Sequence, residues 1–425
     1  AVSCLFRNMF AATPNKTSNN NSNQRSDPKS NRKSDKDDRP KCDVCNLVLT
    51  SYLSALGKKY HPECFKCIGC HAVIDPNSPF TYHEIEGTGE KHPLHKACYA
   101  ELFGMKCSLC YQSIPPNAES GRINFVKHPF FENEIMCPRH TNESRRCAGC
   151  HRFEPIFGDG FLDLGDENRC VCTACCRTVI VDNDDAVPLW NDVMKFFKEK
   201  LKLPVWEGMT DIPILIVRHE TLNEQLKESA HNQSPHIMTR GLCLSEHSVG
   251  RRINLMPRMK FDPNNRSFTG LNDGLNDGVT YFEITDASKS NPNSSVTAIL
   301  CLSGLPSDLT ASILAHEATH AWIKLHPNYS YKRPIPIQVE EGCCQLVAHL
   351  FLLYGLRPPS TDSVDGQPCD EELREYFKFS IETDKHEVYG EGFRKANKAY
   401  SQIGLETLLS HVVLYREFPQ LDTIN

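Results

Sequence analysis

Two histidines four residues apart, His316 and His320, flank a glutamate in the segment His316-Glu317-Ala318-Thr319-His320. On a helix, residues four apart share one face. Both imidazoles can then bind one zinc ion, and Glu317, beside the first, can reach the metal's open position as a general base for hydrolysis. A catalytic zinc takes three protein ligands and keeps the fourth position open, so the motif requires one more ligand. The tetrahedral oxyanion of such a reaction also needs a donor beyond the metal. Tyr389 is the candidate taken here, with Tyr400 and His411 behind it. The plain alternative is a helix with two surface histidines.

A second chemistry lies upstream. Fifteen of the 21 cysteines fall between Cys42 and Cys176. The first group reads Cys42-x2-Cys45-x15-His61-x2-Cys64-x2-Cys67-x2-Cys70-x24-His95-x2-Cys98. Zinc closes a structural site with four thiolate or imidazole ligands, and each Cys-x-x-Cys turn supplies two. One site is Cys42, Cys45, His61 and Cys64; the next is Cys67, Cys70, His95 and Cys98. This order of eight ligands resembles a LIM domain. A second, LIM-like group pairs Cys107, Cys110, Cys137 and His140, then Cys147, Cys150, Cys172 and Cys175. Six residues separate its central knuckles where a regular LIM domain has two. Cys170 and Cys176 are substitute ligands there, and His128 is a further candidate. About four structural zincs and one catalytic zinc are expected.

These residues need elements to hold them. Residues 1–40 are polar and read as a disordered tail, because they cannot bury enough surface to offset ordering. A helical stripe over Trp190, Val193, Met194, Phe197 and Leu201 marks an amphipathic helix. Ile212–Val217 reads as a buried strand and Thr221–Ser229 as a short helix. Residues 258–294 are loop or weak hairpin. Val296–Leu302 reads as a strand, placed where a substrate-pairing edge is expected. Helices follow near Ser307–Leu325, Gln338–Tyr354, Glu371–Thr383, Gly392–Ile403 and Leu405–Arg416. The net charge of −6 speaks against a nucleic-acid binder. No apolar run reaches the roughly 18 residues that span a membrane. The thiol-rich composition without a clear secretory signal predicts an intracellular protein, cytoplasmic with the nucleus also open to it.

The downstream segment Val339-Glu340-Glu341-Gly342 follows His320 by about the spacing of the gluzincins, which the chain resembles here. That match implies Glu341 as third ligand, with Glu340 the alternative and Gln345 a partner that holds a ligand histidine. The expected fold is therefore multidomain: small zinc-ribbon-like LIM and LIM-like modules followed by an α+β gluzincin-type metallopeptidase domain. Its parts are a tail (1–40), a LIM domain (41–104), a LIM-like domain (105–176), a linker helix region (177–215) and a peptidase domain (216–425).

With the stretches Thr239–Glu246, Ser312–Glu317, Val339–Gly342 and Tyr389–Phe393, this order resembles the plant LIM-domain, ubiquitin-activated peptidase family that limits organ and seed growth. The resemblance covers roughly residues 41–420. It implies an endopeptidase that cleaves growth regulators and ubiquitin ligases, with protein substrates and ubiquitin or ubiquitin ligases as partners. Residues 1–40 lack the ubiquitin-interacting helices of founding members, so the chain reads as a related member without them. Ala318 and Thr319 stand where relatives typically carry methionines. The competing function is a non-catalytic LIM adaptor with a pseudo-peptidase docking domain.

Overall fold

The computed structural model describes residues 39–420, apart from 118–119, 121, 141–143, 159, 167, 229–239, 246–249, 263–266, 271–280, 286–295, 356–357 and 363–365. The expected tail, residues 1–40, lies almost wholly outside the described residues. The chain divides into two compact units, Ala1–Cys107 with Tyr111–Phe125, and Ser108–Cys110 with Val126–Asn425.

The first unit carries two hairpins, Leu53–Ala55 with Lys58–Tyr60 and Phe80–Glu84 with Lys91–His95, followed by the helix Lys96–Phe103. Its apolar core is small: Tyr60, Phe65, Cys67, Ile74 and Leu94. A core this size leaves most of the ordering entropy to be offset by metal.

In the second unit, strands β1 (Ile214–Val217), β2 (Gly241–Ser245) and β3 (Val296–Leu302) form a sheet in the order β1-β3-β2. β1 runs parallel to β3, and β2 antiparallel. All seven residues of β3 are buried, and from Ala298 onward they alternate in direction as a pleat requires. Ile299 and Cys301 join one core cluster; Ala298, Leu300 and Leu302 join the other. A strand covered on both faces reads as a continuous apolar run. The run VTAILCL thus marks the central strand rather than the substrate-pairing edge expected from sequence. Among the described strands of this sheet, β1 and β2 are the edges, and Gly241 of β2 lies against Glu317.

One face of the sheet is covered by helices α1 (Asn183–Glu199), α2 (Ser307–Leu325) and α3 (Ile337–Tyr354). Asp182 caps α1, its carboxylate accepting from the Asp184 and Asp185 N–H groups at 3.0 and 3.3 Å, and Asp184 and Asp185 complement the helix dipole. Leu189, Trp190, Val193, Met194, Phe196 and Phe197 of α1 are all buried in the main core. The apolar stripe of the helix expected in the linker region 177–215 thus packs into the core, as an amphipathic face requires.

The other face carries the last zinc knuckles. Cys147, Cys150, Cys172 and Cys175 share a cluster with Leu215, Val217, Leu300 and Leu302. Val179–Ile180 pairs with Leu305–Pro306, and the Ser307 N–H at the start of α2 donates to Thr178 O at 2.8 Å. From Val126 on, the LIM-like module is thus built into the same unit as the helix bearing the histidines, where the sequence suggests separate domains. Further on come α4 (Asp370–Glu382), a π-helical turn (Glu387–Glu391), α5 (Gly392–Ile403) and α6 (Leu405–Tyr415). The expected hairpin region holds Met259–Asp262 paired with Ser267–Gly270, and Tyr281–Glu283 paired with Arg252–Asn254.

Candidate metal centre

α2 turns His316 and His320 to one face, their rings 5.1 Å apart. α3 brings two carboxylates to them. Glu341 Oε2 lies 3.0 Å from His316 Nε2 and 3.6 Å from His320 Nε2. Ligand atoms about 2.05 Å from a tetrahedral zinc stand about 3.3 Å apart, so these spacings fit a metal site. Glu340 Oε1 lies 2.7 Å from His320 Nδ1. A carboxylate there fixes the ring and leaves Nε2 free to accept a metal. The partner given to His320 is therefore Glu340, not the expected Gln345.

Glu317 is buried. Burial pushes its carboxyl pKa up, against the pull of His316 and His320. Burial acts the same way on Glu341, but His320 and the hydrogen bond from His316 outweigh it and hold Glu341 well below the usual carboxylate range. Tyr389 sits in the π-helical turn, where His386 Nδ1 accepts from the Val388 and Tyr389 N–H groups. Burial, then the Glu341 charge, push its phenol pKa up, so the hydroxyl stays a donor within electrostatic reach of the histidines and carboxylates. Tyr400 instead packs against the core, and His411 stacks near Tyr415 with ring centroids 4.6 Å apart.

Three neighbours were not legible as site residues. Cys344, one turn after Glu341, places its Sγ with a ring nitrogen of each histidine, all within 4.8 Å; burial pushes this thiol up to about 12. Lys324, one turn after His320, is charged beside Cys243 and Glu340, which outweigh its burial. Gly241 of β2 lies against the base: a Cβ there would stand 2.5 Å from Glu317 Oε1. Helical spacing from His320 and Glu341 could have flagged Lys324 and Cys344; nothing in the sequence flags Gly241.

The structural sites assemble as the spacing predicts. Cys42, Cys45, His61 and Cys64 converge, as do Cys67, Cys70, His95 and Cys98. His61 Nδ1 is 3.3 Å from Cys45 Sγ and 3.8 Å from Cys64 Sγ; His95 Nδ1 is 3.4 Å from Cys70 Sγ and 3.9 Å from Cys98 Sγ. The tetrahedral expectation for nitrogen and sulfur on zinc is about 3.6 Å. Burial raises the Cys67 thiol, but N–H groups of His95, Cys70 and Gly69 outweigh it and bring the pKa to about 6. Cys110, Cys137 and His140 also converge, and His140 Nε2 is buried without a hydrogen-bond partner among the described residues; Cys107 ends the first unit. Cys147, Cys150, Cys172 and Cys175 form a fully buried group. Cys170 points elsewhere, its Sγ donating to Arg146 O at 3.4 Å. His128 contacts the Cys150 carbonyl at 3.0 Å rather than a thiolate cluster.

Fold and site together define a LIM-bearing protein whose mixed α/β unit carries a His-Glu-x-x-His helix and a second helix with paired carboxylates. Comparison with known families narrows this. Residues 42–103 match the LIM domain and residues 201–415 match the family described as DA1-like, Protein DA1. The chain is 34% identical over 397 residues to Protein DA1 of Arabidopsis thaliana, covering 89% of this chain and 68% of that protein. It is 35% identical to Protein DA1-related 1 of the same plant, over 87% of this chain and 64% of the relative. The rice LIM domain-containing protein HDR3 is 34% identical, over 87% of this chain and 71% of its own length. The chain belongs to the DA1-like family and spans about two-thirds of these relatives. Among the described residues, no helix is long and apolar enough to cross a membrane.

Proposed function

We propose that this chain is a zinc-dependent endopeptidase of the gluzincin type, with LIM modules that dock protein partners. The observation that carries the reading is the spacing of His316 Nε2, His320 Nε2 and Glu341 Oε2, with Glu317 buried beside them. Glu341 is preferred to Cys344 as third ligand because its Oε2 stands 3.0 and 3.6 Å from the Nε2 atoms of the two histidines, near the separation of ligand atoms on a tetrahedral zinc.

His316, His320 and Glu341 would hold a zinc ion, which would supply Lewis acidity at neutral pH. Glu317 takes the proton of the attacking water and passes it to the leaving amine. Glu340 keeps His320 in the tautomer that presents Nε2. Tyr389 donates to the developing oxyanion. The edge of β2 offers backbone N–H and C=O groups to an extended peptide, a common mode of peptide capture. The family resemblance supports growth regulators and ubiquitin ligases as substrates, and ubiquitin as partner and regulator. The clustering of Cys and His residues into groups suited to zinc supports an intracellular setting, cytoplasmic or nuclear.

The test is Glu317→Gln in the full chain, incubated with a ubiquitin ligase substrate that the wild type cleaves. The variant should keep its zinc and lose about 10²–10⁴ in rate. Cleavage at the wild-type rate would sink the mechanism, and partners left intact by the wild type would favour the adaptor reading.

A further inference from the structure

We propose that the buried knuckle pair Cys147–Cys150 and Cys172–Cys175 anchors the catalytic strand β2, with His151 and Tyr376 as positioning residues that act through Arg240. The catalytic consequence rests on the peptidase reading; the anchoring does not.

Arg240 and Gly241 are adjacent and point to opposite faces of the sheet. Gly241 lies on the helical face, against Glu317 and Ile313. Arg240 reaches the zinc-knuckle face, where its Nη2 lies 2.9 Å from His151 Nε2. A guanidinium can only donate, so His151 Nε2 accepts and the ring proton is on Nδ1. That Nδ1–H donates to Tyr376 Oη at 2.9 Å. The tautomer follows from Arg240 alone.

His151 is itself held by the knuckle. It follows Cys150 directly, adopts φ +59°, and its N–H donates to Cys147 O at 3.0 Å. Closing four thiolates on zinc therefore fixes where the imidazole points. A zinc with four thiolates carries a net charge of about −2, and a buried guanidinium needs such a counter-charge; Arg152 lies near the same thiolates. At the other end, Arg240 O accepts from Leu302 N at 2.9 Å, which begins the ladder that Gly241 continues opposite Cys301. Thr178, three residues after Cys175, holds the start of α2. The same module thus grips both the strand that packs on the base and the helix that carries it.

Three full-length variants test this: His151→Phe removes the acceptor, His151→Gln keeps an oxygen acceptor in place of Nε2, and Tyr376→Phe removes the hydroxyl but keeps the ring packed on Phe130 and Phe131. The readouts are amide hydrogen exchange over Gly241–Ser245 and zinc per chain. With zinc unchanged, His151→Phe should speed exchange in that strand about tenfold or more, and His151→Gln should restore it. On a cleaved substrate, kcat should fall with KM little changed. Wild-type exchange in His151→Phe would overturn the proposal. If that variant does not fold, Tyr376→Phe decides in the same way. A wild type that cleaves nothing would instead sink the peptidase reading and leave the exchange result standing.

Discussion

Gly241 has no side chain, and Glu317 fills the space one would take. A Cβ at this position would stand 2.5 Å from Glu317 Oε1 and 2.7 Å from Ile313 Cγ2. Gly241→Ala should displace the base by a fraction of an ångström to an ångström, a misplacement that costs on the order of 10²-fold in rate. Steady-state kinetics with unchanged zinc content would show it; an unaltered kcat would mean that Glu317 is not the base. In the proposed site Glu340 would act on the metal through His320, whose Nδ1 it contacts at 2.7 Å. Glu340→Ala should weaken the catalytic metal about 10–100-fold, read as earlier loss of one zinc in a graded chelator titration. If Glu340 were instead a direct ligand, the loss should approach that of Glu341→Ala.

At the scale of elements, the site depends on how closely α3 and α5 approach. Gly342 and Gly392 meet backbone to backbone, and a Cβ on Gly342 would lie 2.5 Å from the Gly392 carbonyl carbon and oxygen. This crossing sets the π-helical turn, with Tyr389, beside Glu341. Gly342→Ala should cost about 1–3 kcal/mol by overpacking, seen as a lower urea midpoint with unchanged slope. An unchanged midpoint would show that the helices can separate freely. The crossing explains why Gly342 follows Glu341 without interrupting α3: the stability lost from a helical glycine, about 1 kcal/mol, is offset by close packing.

Across the whole molecule, the four closed sites and one open site expected from the sequence spacing predict about five zincs per chain, falling to about four in the double variant His316→Ala/His320→Ala. Elemental analysis checks this directly, and equal counts would leave the helix without a metal. The zincs differ in what they hold. In the first unit the metal stands in for a small core, whereas the group Cys147, Cys150, Cys172 and Cys175 adds to the large core beneath the sheet. Loss of that last zinc is therefore expected to disturb the second unit as well as its own loop.

Short-range spacing was enough to put His316, Glu317 and His320 on one helix, and to group the Cys and His residues of the first LIM module, because a helical turn or a knuckle is fixed within a few residues. It also placed the strand Val296–Leu302 and the main helices, since their apolar periods are local. The tertiary structure alone decided which strand is central, because burial on the second face comes from a zinc module more than 100 residues upstream. It also put the α1 stripe of residues 177–215 into the core, set Glu340 against His320 Nδ1 and Glu341 against both Nε2 atoms, and set Gly241 against Glu317. Each of these depends on which surfaces meet, and the free energy of that meeting belongs to residues far apart in the chain.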